Sequence, residues 1–303
     1  MERYSVLMAV YYRERAEYLK SAIESMLNQT VPPEEFVLVC DGPLTEELDR
    51  VIAEVCSSDP ELFRVIRLAQ NCGLGAALRE GLLQCRNELV ARMDSDDLAV
   101  PDRMEKQLEA ICADSVVSVL GGQIGEFSNH PEHISTMRLV PIRMEQIRKF
   151  IKFRSPMNHT TVVLRRSHIL KAGNYQSIPG FEDYAQWIRL VSQGYELKNI
   201  DHLCCKVRAD DEMYARRGGM NYFRNAREME KLLLETRMIN HLEYASNLLV
   251  RFAGTVLLPS EIRKTIFKLF LRRQVSTPEK ELSMGQMDVL KIVSRLRQSY
   301  IKQ

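Results

Sequence analysis

Along the first 120 residues the apolar positions alternate between two rhythms. Short continuous runs read as buried strands: Ser5 to Val10, Phe36 to Cys40, residues 63–68, Leu89 to Met93 and Val116 to Leu120. Between them the spacing becomes that of an amphipathic helix. Over 14–29, Tyr18, Leu19, Ile23, Met26 and Leu27 share one face. Further helices are predicted at 45–56, at 73–86 with Gly73 and Gly75 opening it, and from Pro101 to about 112. Pro32 and Pro33 end the first helix, and Asp41-Gly42-Pro43 stops the second strand. Strands alternating with helices predict a parallel sheet with right-handed crossovers. Such sheets bind ligands beyond the carboxyl ends of their strands. The chemistry is therefore sought just after Val10, Cys40 and Met93.

From about 121 to 160 the pattern weakens. Residues 142–153 suggest a helix, and Thr160 to Leu164 a strand. Gly180-Phe181 opens a helix over 182–193, and Leu197 to Val207 carries strand-like stretches. Beyond Arg227 long helical patterns take over. The predicted organisation is an α/β domain over 1–225, its halves 1–120 and 121–225, followed by a helical region over 226–303.

Composition narrows the class. The chain has 303 residues with 45% apolar and 27% charged, and a formal net charge of +2, which argues against a nucleic-acid partner. Seven cysteines are scattered without a C-x-x-C pair, so they read as reduced, mostly small hydrophobes. The N-terminus shows no signal-peptide pattern, and no apolar run approaches the roughly 20 residues of a membrane span. The expected location is the cytoplasm. In the tail, residues 248–273 hold Arg251, Arg263, Lys264, Lys268, Arg272 and Arg273 against only Glu261. With Ile262, Ile266, Leu269 and Phe270, this reads as a basic amphipathic helix, either docked on an anionic membrane or packed on the core.

The strongest local signal is Asp94-Ser95-Asp96-Asp97, directly after a strand. Three carboxylates within four residues repel one another unless a cation neutralises them, and a hard divalent ion with oxygen ligands does so. The alternative is a solvated turn capping the next helix. Asp41 also follows a buried strand, where it can accept from a base N–H or simply make a turn. Glu182 and Asp183 open a helix, which suits either N-terminal charge complementarity or a general base. His159 reads as a structural hydrogen-bonder or a site residue, and Arg216-Arg217-Gly218-Gly219 as a phosphate clamp or an exposed turn.

Taken in order, these motifs resemble the family-2 glycosyltransferases, inverting enzymes of the GT-A fold, in the branch that builds bacterial O-antigen and surface polysaccharide. The similar pieces are Ser5 to Tyr11, Ser25 to Thr30, Val39 to Gly42, Asn71 to Gly81, Ala91 to Asp97, Pro101 to Gln107, Pro156 to His159, and Gly180 to Asp183 with Trp187. Departures occur at Ala9, Tyr12, Cys40 and Pro43, where the family often has proline, asparagine, aspartate and serine. The resemblance implies a Rossmann-like, mostly parallel GT-A sheet and a UDP-sugar donor. It assigns Tyr11, Asp41, Arg79 and Asp94 to the nucleotide-sugar, and Asp96 with Asp94 to Mn2+ or Mg2+. Asp183 becomes the catalytic base with Glu182 beside it, and Asp97, His159 and Arg217 are further candidates. One sugar, glucose or galactose, is expected to pass to a lipid-linked saccharide with inversion, the protein lying peripherally on the inner membrane.

Three rivals differ in chemistry. A haloacid-dehalogenase phosphatase would carry its aspartates on the first strand, whereas here they follow a late one. A sugar-1-phosphate nucleotidyltransferase would need a glycine-rich, basic first loop, which Tyr11-Tyr12-Arg13-Glu14 does not supply. A non-catalytic sugar-binding module would bind donor without releasing nucleotide.

Overall fold

The computed structural model of the chain describes residues 2–209, 218–259, 262, 263, 265, 266 and 272–274. Strand β1 (Tyr4–Val10) lies in the middle of a parallel half-sheet. It pairs with β2 (Glu35–Cys40) on one side and β4 (Leu89–Asp94) on the other, and β3 (Phe63–Arg67) extends the sheet beyond β2. The register sets Val10 against Cys40 and Ala9 against Asp94, so three strands end at one level. Tyr11, Asp41 and the acidic turn therefore leave the sheet along one edge.

The crossovers are helices α1 (Ala16–Leu27), α2 (Glu46–Ser58) and α3 (Leu74–Gln84); α4 (Arg103–Cys112) follows β4 and the short β5 (Leu98–Ala99). Period-two alternation splits the core into two layers. Leu7, Val37 and Val39 pack towards α3 and the later helices, while Val6, Met8 and Leu38 pack towards α1, α2 and α4.

Beyond β4 the sheet becomes mixed. Strand β8 (Val163–Arg165) is antiparallel to both β4 and β6 (Val117–Phe127), and β7 (Thr136–Arg138) is antiparallel to the far part of β6. Strand β9 (Glu196–Arg208) runs parallel along β6 and closes antiparallel on β5; β10 (Arg273–Gln274) pairs with β7. The α/β fold read from the sequence is present, with its parallel character concentrated in the first half. Two elements differ from expectation. Strand β6 continues through Gly121-Gly122 because β9 approaches there: a Cβ at Gly121 would meet Asn199 Oδ1 at 2.3 Å, and one at Gly122 would meet Cys204 Sγ at 2.2 Å. The strand expected over 160–164 begins instead as a 3-10 turn, His159–Thr161, closed by the Thr161 amide and hydroxyl on Asn158 O at 2.9 and 2.7 Å.

The remaining helices are α5 (Met144–Phe150), α6 (Arg166–Lys171), α7 (Glu182–Ser192), α8 (Gly219–Glu235) and α9 (His241–Phe252). A boundary at 225 falls inside α8, whose Ala226, Met229 and Leu233 join the core layer that holds Leu7 and Trp187. Of the basic tail, Arg272 is buried in an ion pair with Glu126 (2.6 Å), and Arg263 donates to Thr255 O (3.1 Å). Lys264, Lys268, Leu269 and Phe270 lie outside the described residues. All seven cysteines are free thiols. No helix among the described residues is long and apolar enough to cross a membrane.

Candidate active site

The carboxyl edge of the sheet is built first by Asp41. Its buried carboxylate accepts from the Cys72 N–H (2.7 Å) and the Gly73 N–H (2.9 Å), locking the loop that opens α3 against the end of β2. Gly42 makes this possible. Its φ is +87°, and a Cβ there would lie 2.6 Å from Asn71 N. Both Asp41 oxygens thus hold backbone, leaving one lone pair on each for a ligand. Tyr11 is half-buried after β1, edge-to-face with Tyr12 at 5.8 Å. Arg79 stands on the exposed side of α3, paired with Glu80 at 3.3 Å.

The acidic turn is organised by two arginines that the sequence reading passed over. Arg92 and Asp94 are two apart on β4, hence on one face, and pair through both guanidinium nitrogens and both carboxylate oxygens. Arg92 is 1% exposed. A guanidinium in an otherwise apolar strand is itself a sequence signal, because a buried charge needs a partner. Arg208, at the end of β9, donates its amide to Asp97 (3.2 Å) and its Nε to Asp96 O (3.0 Å). Its guanidinium lies over the Tyr18 ring at 3.8 Å. Asp97 is buried and ties β9 to the turn; burial, then Asp96 and Asp94, push its carboxyl well up.

Unlike Asp94, which pairs with Arg92, Asp96 makes no ion pair among the described residues. Burial, with the charges of Asp94 and Glu14, pushes its pKa up to about 7. Glu14 was not foreseen as part of this cluster; it is placed by the Ser95 hydroxyl, which donates to it at 2.6 Å. An all-oxygen set with surplus negative charge fits a hard divalent ion. Among the described residues no three ligating groups converge tightly enough to cage a metal alone.

A second acidic group lies at the start of α7. Asp183 accepts from the Ser155 hydroxyl at 3.1 Å. Glu182 lies against the start of α3, where a Cβ on Gly75 would meet its Cγ at 2.9 Å, and burial pushes its carboxyl up. A polar pair of partly buried His159 and buried Tyr175 lies in the same core. His159 Nε2 is 3.1 Å from the Tyr175 hydroxyl, and its ring meets Trp187 edge-on at 5.9 Å. Burial, and then the Arg92 charge, hold this imidazole well below its ordinary pKa. Arg92 also acts on Glu182, and Tyr175 feels both Asp94 and Asp183. Arg92 thus pairs with Asp94 and its charge reaches Asp96, Glu182 and His159, while Asp41 and Tyr11 lie along the same strand ends. Arg79 is exposed one helical turn beyond Gly75 on α3, and Arg217 lies outside the described residues.

A mostly parallel α/β sheet with an acidic turn at its carboxyl edge has the architecture in which nucleotide-sugar enzymes are found. The sequence profile of glycosyl transferase family 2 matches residues 5–173, and the chain belongs to that family. It is 37% identical over 271 residues to an uncharacterised glycosyltransferase of Haemophilus influenzae, covering 89% of this chain and 100% of the relative. It is 33% identical over 273 residues to the UDP-Gal:alpha-D-GlcNAc-diphosphoundecaprenol beta-1,3-galactosyltransferase of Escherichia coli, covering 89% and 97%. The fold is similar to that of Staphylococcus aureus TarS 1–349 in complex with UDP-GlcNAc, with a TM-score of 0.61 at 17% identity, over 89% of this chain and 76% of TarS. Family membership replaces the phosphatase and binding-module alternatives.

Proposed function

We propose that the protein moves one hexose, glucose or galactose, from a UDP-sugar to a lipid-diphosphate-linked N-acetylhexosamine with inversion, in surface-polysaccharide assembly. The reading is supported most by the convergence of the acidic turn and the start of α7 around Arg92. The Escherichia coli relative, whose name gives a UDP-Gal donor, a lipid-diphosphate acceptor and a β product, supports the substrate classes.

The acceptor hydroxyl attacks the anomeric carbon from the face opposite the diphosphate. Asp183 takes its proton as the new C–O bond forms and the bond to UDP breaks, so an α-linked donor gives a β product. The Ser155 O–H on Asp183 Oδ2 fixes the carboxylate and leaves Oδ1 for the incoming proton. Asp96, with Asp94, would hold Mn2+ or Mg2+, which stabilises charge growing on the leaving diphosphate. Asp94 is preset by Arg92, and Asp41 presets the loop beneath the nucleotide. A lipid-borne acceptor implies work at the membrane surface.

The test is a product assay. Purified protein, Mn2+, a panel of UDP-hexoses and a synthetic lipid-diphosphate N-acetylglucosamine should yield one β-linked disaccharide, with turnover lost in EDTA. An α linkage would remove the single displacement, EDTA-resistant turnover would remove the metal, and no transfer from any UDP-hexose would remove the donor class.

A further inference from the structure

Two arginines from distant parts of the chain meet on one ring. Arg15 stands just before α1 and Tyr18 lies in its first turn, three positions apart and so neighbours on the helix surface. The Arg15 guanidinium is 5.3 Å from the Tyr18 ring centre and donates from Nη1 to the phenol oxygen at 3.3 Å. Arg208 arrives from the far end of β9. Pairing of Leu98 with Lys206 and of Ala99 with Cys205 draws that end onto the acidic turn, and the register on β6 sets Arg208 beside Phe127. Its guanidinium is 3.8 Å from the Tyr18 ring centre and 4.9 Å from that of Phe127.

Ring stacking occupies the flat face of a guanidinium and leaves its edge for hydrogen bonds. On Arg208 the Nε donates to Asp96 O at 3.0 Å, while Nη1 and Nη2 make no hydrogen bond among the described residues. Neither arginine makes an ion pair among the described residues, although Arg208 touches a turn that carries Asp96 and Asp97. Two cations held on one ring repel each other, and an anion between them removes that repulsion. A planar fork with free N–H groups matches phosphate oxygens. The adjoining turn makes such cations necessary. Asp94, Asp96, Asp97 and Glu14 crowd negative charge there, which repels a diphosphate unless cations accompany it.

We propose that Arg15 and Arg208, gathered on Tyr18, form a subsite for the donor's diphosphate, which rests on the reading that the donor is a UDP-sugar. A lipid-diphosphate acceptor carries the same group, but the position favours the donor. The pair stands on the loop that follows Tyr11, closed by the Glu14 amide on Tyr11 O at 3.0 Å, and on the acidic turn, where Ser95 donates to Glu14. Helix α1 packs in the core layer of Val6 and Met8, whereas α7, which carries Asp183, packs in that of Leu7 and Trp187. The leaving group and the base then approach from opposite faces of the sheet, which suits a displacement with inversion.

Calorimetric titration with uridine, UMP and UDP in the presence of Mn2+ tests this on the parent, Arg15→Gln, Arg208→Gln and Arg208→Lys. Loss of one charge-assisted contact should weaken UDP by about ten- to a hundredfold in each glutamine variant. Uridine affinity should stay within about twofold, because the base and ribose are held elsewhere. Arg208→Lys should recover part of the loss, since it keeps the charge without the fork. Arg15 is exposed, so its variant should keep the parent's thermal midpoint and carries the test if Arg208→Gln is destabilised. UDP binding unchanged in both glutamine variants, or uridine weakened as much as UDP, overturns the proposal. So does a loss confined to KM for a synthetic lipid-diphosphate acceptor, which would place the acceptor's phosphates there. If the parent binds no uridine nucleotide, the UDP-donor reading falls, and inorganic diphosphate decides the subsite alone: binding weakened by both variants keeps it, and no binding removes it.

Discussion

The acidic turn after β4 and the acidic start of α7 carry the same functional group in opposite settings. Asp96 sits among carboxylates, buried, with its pKa pushed up to about 7. Asp183 stands half-buried at a helix N-terminus with one hydroxyl donor on one oxygen. Crowded negative charge asks for a cation, and a carboxylate with a free oxygen asks for a proton. The contrast supports the proposed metal and base roles, which the residue types alone leave interchangeable.

Four substitutions probe that contrast. The largest effect is expected from Asp183→Asn, which should lower kcat by about 10²–10⁴ while UDP affinity stays close to the parent's. A near-normal kcat would transfer the base role elsewhere. Next is Arg92→Met, which strands Asp94 and should cost about 3–5 kcal/mol of unfolding free energy in urea titrations. A neutral result would mean that Asp94 is held by other groups.

Asp96→Asn should lower metal-dependent turnover by about 10²–10³ and should stabilise the metal-free protein. The sign follows from the raised pKa. Between about pH 4 and 7 the folded parent keeps a proton that the unfolded chain has lost, so its stability falls as pH rises through that window. The variant's gain in thermal midpoint should therefore be larger at pH 8 than at pH 5, by about 2–4 °C for each kcal/mol. A gain independent of pH would contradict the environment assigned to Asp96. The smallest effect is expected from Ser155→Ala: one hydrogen bond of about 0.5–1.5 kcal/mol, seen as a several-fold drop in kcat with KM for the donor unchanged.

How much of this was legible varies along the chain. Strands β1 to β4 and helices α1 to α4 were found within a few residues, because each is a local rhythm of apolar positions and neighbours in sequence are neighbours in the sheet. The second half was read less well. Strand β6 was cut short at Leu120, since its glycines look like breakers until β9, some 80 residues later, is seen filling the space beside them. The site followed the same division. Asp94, Asp96, Glu182 and Asp183 were legible as clustered acids after a strand or before a helix. Arg92, Glu14 and Arg208 were not, because each reaches the turn from another stretch of chain or from a strand that reads as core. The basic tail shows the same limit: Arg251, Arg263 and Arg272 are spent inside the protein.

The chain's own order of residues determined the parallel α/β half, the level at which its strands end and the acids placed there, because periodicity and turn chemistry are local. Tertiary structure decided which carboxylate is crowded and which is free, and which basic residues face inward. Those outcomes depend on charges brought within a few ångströms by strand pairing and helix packing between distant segments, and Coulomb and desolvation terms at such distances exceed any local preference.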